Sequence, residues 1–190
     1  MDASSILTTL LSTKSINGIS KATEASSSDV KSILANAVPV LLQGANKQTS
    51  GSTAASFTQA LADHATADTS NLTSFFKNVD LSDGSKILSH LLTASATKSI
   101  AKASNTEEST TKSVLSAAAP LFMSLLGQQT SGSSASAISS LLSGLAGSSS
   151  VTSLLGGLLG GSSSSSSSSN GKTGKTGASG LVSGLMGLLK

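Results

Sequence analysis

Chemistry in this 190-residue chain would have to be built from two histidines, nine carboxylates and 45 serines, because it has no cysteine. His90 sits between Leu88 and Leu91 in an apolar helical pattern. A ligand or base there needs a second group at metal-ligand spacing, and none is present; the other histidine, His64 beside Asp63, falls in a separate predicted helix. The residue types therefore point to a packing or hydrogen-bonded role for His90 and a solvated one for His64. Glu107-Glu108 is the one adjacent acidic pair. A helix would splay it by about 100°, and it suits a helix start better than acid-base work. No Gly-x-Ser-x-Gly elbow raises any serine above the rest. Gly171-Lys172-Thr173-Gly174-Lys175-Thr176 looks like a phosphate loop, but Ser166 and Ser169 stand where that motif needs its first glycine. This stretch reads as a weakly basic linker. No catalytic, cofactor-binding or metal-ligating residue is expected, and the chain reads as a non-enzyme.

Composition narrows the remaining classes. All 12 basic residues are lysine and the net charge is +3, which argues against nucleic acid, where the forked arginine and a dense basic face do most of the work. Met1-Asp2-Ala3 offers no basic start to a secretory signal, and no run of about 18 apolar residues could span a bilayer. Cytoplasmic residence is the default expectation, with signal-independent export left open. Apolar residues make up 37% and aromatic ones 2% of the chain, so any core is filled by Leu, Ile, Val and Ala, a palette that suits helices.

The elements that must position these residues come twice. A shift of 81 positions lays residues 6–61 on 87–142 without a gap, with 20 identities in 56 positions. Ile6-Leu7 matches Ile87-Leu88, Ala37-x-Pro39 matches Ala118-x-Pro120, and the Gln-Thr-Ser-Gly-Ser run at 48–52 recurs at 129–133. Val30, Ile33, Leu34, Ala37, Val38, Leu41 and Leu42 follow helical spacing, as do Val114, Leu115, Ala118, Ala119, Phe122, Leu125 and Leu126. Pro39 and Pro120 fall inside these helices and set a kink. Ser28 before Asp29 reads as a cap, and Asp80 to Gly84 as the turn into the second copy. Leu72, Phe75, Phe76 and Val79 predict one extra helix between the copies. The expected fold is all-α: two tandem, pseudo-symmetric four-helix repeats sharing one core, with a low-complexity Gly/Ser tail. Residues 1–65 form the first repeat, 66–81 a connecting helix or linker, and 82–161 the second repeat with its Leu/Gly-rich end. Residues 162–179 form a Ser/Gly/Lys linker and 180–190 an apolar helix.

Asp83-Gly84-Ser85-Lys86-Ile87-Leu88-Ser89-His90-Leu91-Leu92, the run Ala119 to Gly127 and the later Leu-Leu-Gly-Gly stretch resemble the YidB-like bacterial helical proteins, a family of unknown function. The resemblance covers mainly residues 80–161 and implies an all-helical fold. It brings no reaction, cofactor or catalytic residue with it.

Drawn as a helix, the last segment places Gly180, Ser183, Gly184 and Gly187 on one stripe beside Leu181, Leu185 and Leu188. Eleven residues make about 16 Å, half a bilayer core, so the segment docks rather than spans. Its seat is the protein's own core, another subunit or a membrane surface. The sequence thus suggests a structural or interaction protein that partners with itself as a homo-oligomer or with another protein. A peripheral membrane protein, or a small-molecule binder in a cavity between the repeats near His90, are the alternatives.

Overall fold

A computed structural model describes residues 3–147, all of whose regular structure is helical. The sequence expectations for 162–179 and for Gly180, Leu181, Gly184, Leu185, Gly187 and Leu188 lie outside the described residues. In order, the helices are α1 (Ala3–Leu10), α2 (Thr13–Thr23), α3 (Ser27–Gln48), α4 (Ala54–Ala65), α5 (Leu72–Lys77), α6 (Leu81–Leu91), α7 (Ala94–Ser104), α8 (Glu108–Thr130) and α9 (Ala135–Gly147). A single 3-10 turn, Gly51–Thr53, leads into α4.

Local chemistry sets most of the boundaries. Ser12, Ser26, Asn71, Asp80 and Thr93 each accept from a backbone N–H of the first turn that follows, satisfying donors that the helix leaves free. The cap of α3 is therefore Ser26, which accepts from the Asp29 N–H, and not Ser28. Asp80 to Gly84 is not a turn: the Asp80 carboxylate takes the N–H groups of Ser82 and Asp83 and starts α6 there. Glu107 and Glu108 open α8, where their charge complements the helix dipole.

Helix α8 is the axis of the molecule. Every residue from 114 to 127 is buried, so the apolar stripe legible in the sequence becomes a helix buried on all sides. This happens because α1, α2, α3, α4, α6 and α7 all pack against it. The second long helix, α3, is covered by α2, α6, α7, α8 and α9. Both run through their prolines without interruption, and Pro120 is itself buried while Pro39 is half-buried. Two hydroxyls inside α8 find partners in their own helix: Ser124 donates to the Pro120 carbonyl at 2.8 Å and Thr130 to that of Leu126 at 2.7 Å.

The extra helix α5 packs on α2. Phe76 lies against Gly18, where a Cβ would overlap the ring, and meets Phe75 edge to face with centroids 5.3 Å apart.

Candidate interaction furrow

Two helices of opposite direction, α4 and α6, lie on α8, and both reach it at backbone distance. Pro120 has no N–H, so the Ser116 carbonyl one turn earlier loses its usual acceptor role within α8. Gly84 of α6 lies directly on that carbonyl oxygen, and an added Cβ would overlap it and come within 3.2 Å of the Pro120 ring. On the other flank, Gly127 of α8 lies on the Leu61 carbonyl of α4 with the same consequence. The walls are thereby fixed by the absence of side chains at two positions.

Between these walls, above α8, lie two separate clefts, together called the furrow. The first has a volume of about 320 Å³ and is lined by Phe57 and Ala60 of α4, Ile87 and Leu91 of α6, and Met123 of α8. His90 stands on its rim with its side chain exposed. Its carbonyl, at the end of α6, accepts from Gln48 Nε2 at 2.6 Å, which ties that end of the furrow to α3. The second cleft, of about 330 Å³, is floored by Pro120 and Ser124 and lined by His64, Asp68, Asp80 and Asp83. The first cleft is thus mainly apolar, while the second sets three carboxylates among Ala67, Phe75 and Val79.

The acidic end has a definite arrangement. His64 is 25% exposed, and its Nε2 lies 3.8 Å from Asp83 Oδ2 across the furrow, an approach that becomes an ion pair when the imidazole is protonated. Asp80 is committed to the start of α6. Asp68 accepts from the Ser70 hydroxyl at 2.5 Å and from its N–H at 2.9 Å, and these bonds hold its carboxyl below the ordinary aspartate value. Gln128 of α8 pins the adjoining loop, donating to the Ala67 carbonyl at 2.8 Å and accepting from the Thr69 hydroxyl. Among the described residues no three His, Asp or Glu side chains are placed to hold a metal ion. Chemically, the first cleft could accept an apolar group and the carboxylates of the second a cation.

The sequence singled out His90, Pro39 and Pro120. The structure brings His90 to the first cleft and Pro120 to the second, and leaves Pro39 in the other long helix. It adds His64 with Asp83, which sequence reading had placed apart as a solvated residue and a turn. A mid-helix glycine such as Gly84 was the signal that could have found the wall. Recognising Asp80 as a cap was needed to see that Gly84 is helical at all.

These features define an all-helical protein with two surface clefts over its central helix. The model of a bacterial protein family of unknown function, DUF937, matches residues 5–129, and the chain belongs to that family. The match agrees with the resemblance to an uncharacterised bacterial helical family, but it takes in nearly all of the first half, beyond the 80–161 where that resemblance lay. No curated protein and no solved structure matches the chain. Among the described residues, no helix is long and apolar enough to cross a membrane.

Proposed function

We propose that this protein is a non-enzymatic structural or interaction protein that associates with itself through its Leu-, Gly- and Ala-rich helical surfaces. The observation that carries the reading is reciprocal packing between the two halves. Helix α4 of the first half packs on α8 of the second, and α9 of the second packs on α3 of the first; α2 on α8 is answered by α7 on α3. Each half is complementary to the other, the relation that a homodimer with two-fold symmetry requires of its subunits.

Two tandem pseudo-symmetric repeats with one shared core are the finer form of this reading. In its support, α2 (Thr13–Thr23) shifted by the 81 residues of the sequence repeat falls on α7 (Ala94–Ser104). The left-handed residues Glu24 (φ 58°) and Asn105 (φ 54°), and Gly51 (φ 70°) and Gly132 (φ 75°), pair at the same spacing. The Leu- and Gly-rich pattern of residues 180–190 also supports the reading.

Light scattering after size exclusion, over a concentration series, tests the reading with the full chain and a chain ending at Gly161. Concentration-dependent assembly that weakens without the last segment is expected. A strict monomer at every concentration overturns it. A second reading, a small-molecule binder between the halves, is favoured by the apolar cleft beneath His90. Saturable binding of a small apolar probe, lost in Met123→Asp, distinguishes it.

A further inference from the structure

We propose that the cleft between α2 and α5 is a binding site for a phosphate-bearing anion, held by Lys14, Lys21 and Lys77. The site is separate from the furrow and does not depend on self-association.

The cleft has a volume of about 590 Å³, larger than either cleft of the furrow. That falls within the range of about 300–1,000 Å³ usual for small-ligand sites. Lys14, Gly18 and Lys21 share one face of α2 at i, i+4 and i+7. Gly18 sets the spacing of the two helices, because an added Cβ would overlap the Phe76 ring and push α5 away. The close approach brings Lys77 of α5 into one cleft with the two lysines of α2. Local pattern does not account for this arrangement. The 81-residue shift puts Ser95 at the place of Lys14 and Ser99 at that of Gly18, and only Lys21 recurs, as Lys102. Lys14 also stands in the first turn of α2, where the helix dipole disfavours a cation and no acidic residue offsets it. Such a local conflict is the mark of a charge that serves a site instead of its helix.

The charges select the ligand. No carboxylate lines the cleft, and among the described residues none of the three lysines makes an ion pair. Glu24, three positions after Lys21, lies at the left-handed end of α2 and outside the lining. Three ammonium groups left without counter-charge in one concavity favour a ligand with at least two negative charges. Each ammonium is a compact point charge that donates along any direction, which suits the diverging oxygens of a tetrahedral phosphate. Planar carboxylates are held best by the arginine fork, and the chain has no arginine. Two uncharged donors complete the set. Asn17 accepts from the Ser27 hydroxyl through Oδ1 at 3.4 Å, which leaves its NH2 group to donate, and the Thr73 hydroxyl stands on the α5 side.

Isothermal titration of the full chain with inorganic pyrophosphate at low salt tests the site, with citrate as a carboxylate of similar charge for comparison. Saturable binding of pyrophosphate is expected, weaker binding of citrate, and a loss of affinity as salt rises. Lys14→Gln, Lys21→Gln and Lys77→Gln combined should weaken pyrophosphate binding about tenfold or more. Lys86→Gln, Lys98→Gln and Lys112→Gln combined remove the same charge elsewhere and should change it by no more than about twofold. All six lysines are exposed, so neither triple variant disturbs the core. Amide NMR shifts on adding pyrophosphate should cluster at residues 14–22 and 73–77. Vesicles of phosphatidic acid in phosphatidylcholine separate the two sources of phosphate. Pyrophosphate binding that needs the cleft lysines assigns the site to a soluble phosphate ester; co-sedimentation that needs them, without pyrophosphate binding, assigns it to a lipid headgroup. Absence of binding to either probe, equal losses in the two triple variants, or citrate bound as tightly as pyrophosphate overturns the assignment.

Discussion

Replacing Gly84 with alanine tests the backbone contact on which one wall of the furrow depends. In an unconstrained helix the change stabilises, by about 1 kcal/mol, because alanine loses less backbone entropy. At position 84 the new Cβ overlaps the Ser116 carbonyl oxygen, with the Pro120 ring at 3.2 Å. Backbone cannot swing aside as a side chain can, so α6 must withdraw until the atoms reach ordinary contact. Withdrawal uncovers Leu88 and Leu91, now 7% and 6% exposed, whose full burial is worth roughly 3–6 kcal/mol together. Partial loss of that burial, set against the propensity gain, leaves a net destabilisation of about 2–4 kcal/mol, or a fall in Tm of roughly 5–15 °C for a domain of this size. Gly144 of α9 is the control, since nothing lies within 4 Å of the position its Cβ would take. Gly144→Ala should stabilise by about 1 kcal/mol. Urea unfolding followed by far-UV circular dichroism reads both. Equal and positive shifts in the two variants would falsify the close approach of α6 to α8.

Three other outcomes follow from the same structure. Glu24 holds a left-handed conformation at the end of α2 (φ 58°), so Glu24→Gly should raise stability by about 1 kcal/mol in urea melts; Asn105→Gly should gain less, asparagine tolerating that region better. Chains of residues 1–79 and 80–161 should each show little helix by circular dichroism and regain it on mixing, because α3 and α8 are each covered largely by helices of the other half; a native-like spectrum from either alone refutes the reciprocal core. Asp68 should titrate below an ordinary aspartate in carboxyl NMR, and Ser70→Ala should raise it. With the folded value depressed, its contribution is present above the unfolded pKa and disappears as pH falls through the folded one. An unchanged midpoint in Ser70→Ala would rule out the serine hydroxyl as the main cause.

The sequence alone determined the helical class, because Leu, Ile, Val and Ala at spacings of three and four have no other economical way to leave water. It also determined the 81-residue repeat of motifs and the extra helix near Phe75 and Phe76, since these are written in local pattern. Caps were less legible where serines run together: Ser26, Ser27 and Ser28 are equivalent as letters, and only backbone geometry selects Ser26. The furrow belongs wholly to tertiary structure. His64 and Asp83, 19 positions apart, face each other only because α4 and α6 lie side by side on α8. The burial of α8 on every side was hidden for the same reason. A stripe of apolar residues reports one partner, whereas the small residues Ala117, Ser116 and Gly127 between them admit neighbours on the remaining faces, and composition does not say which neighbours will come.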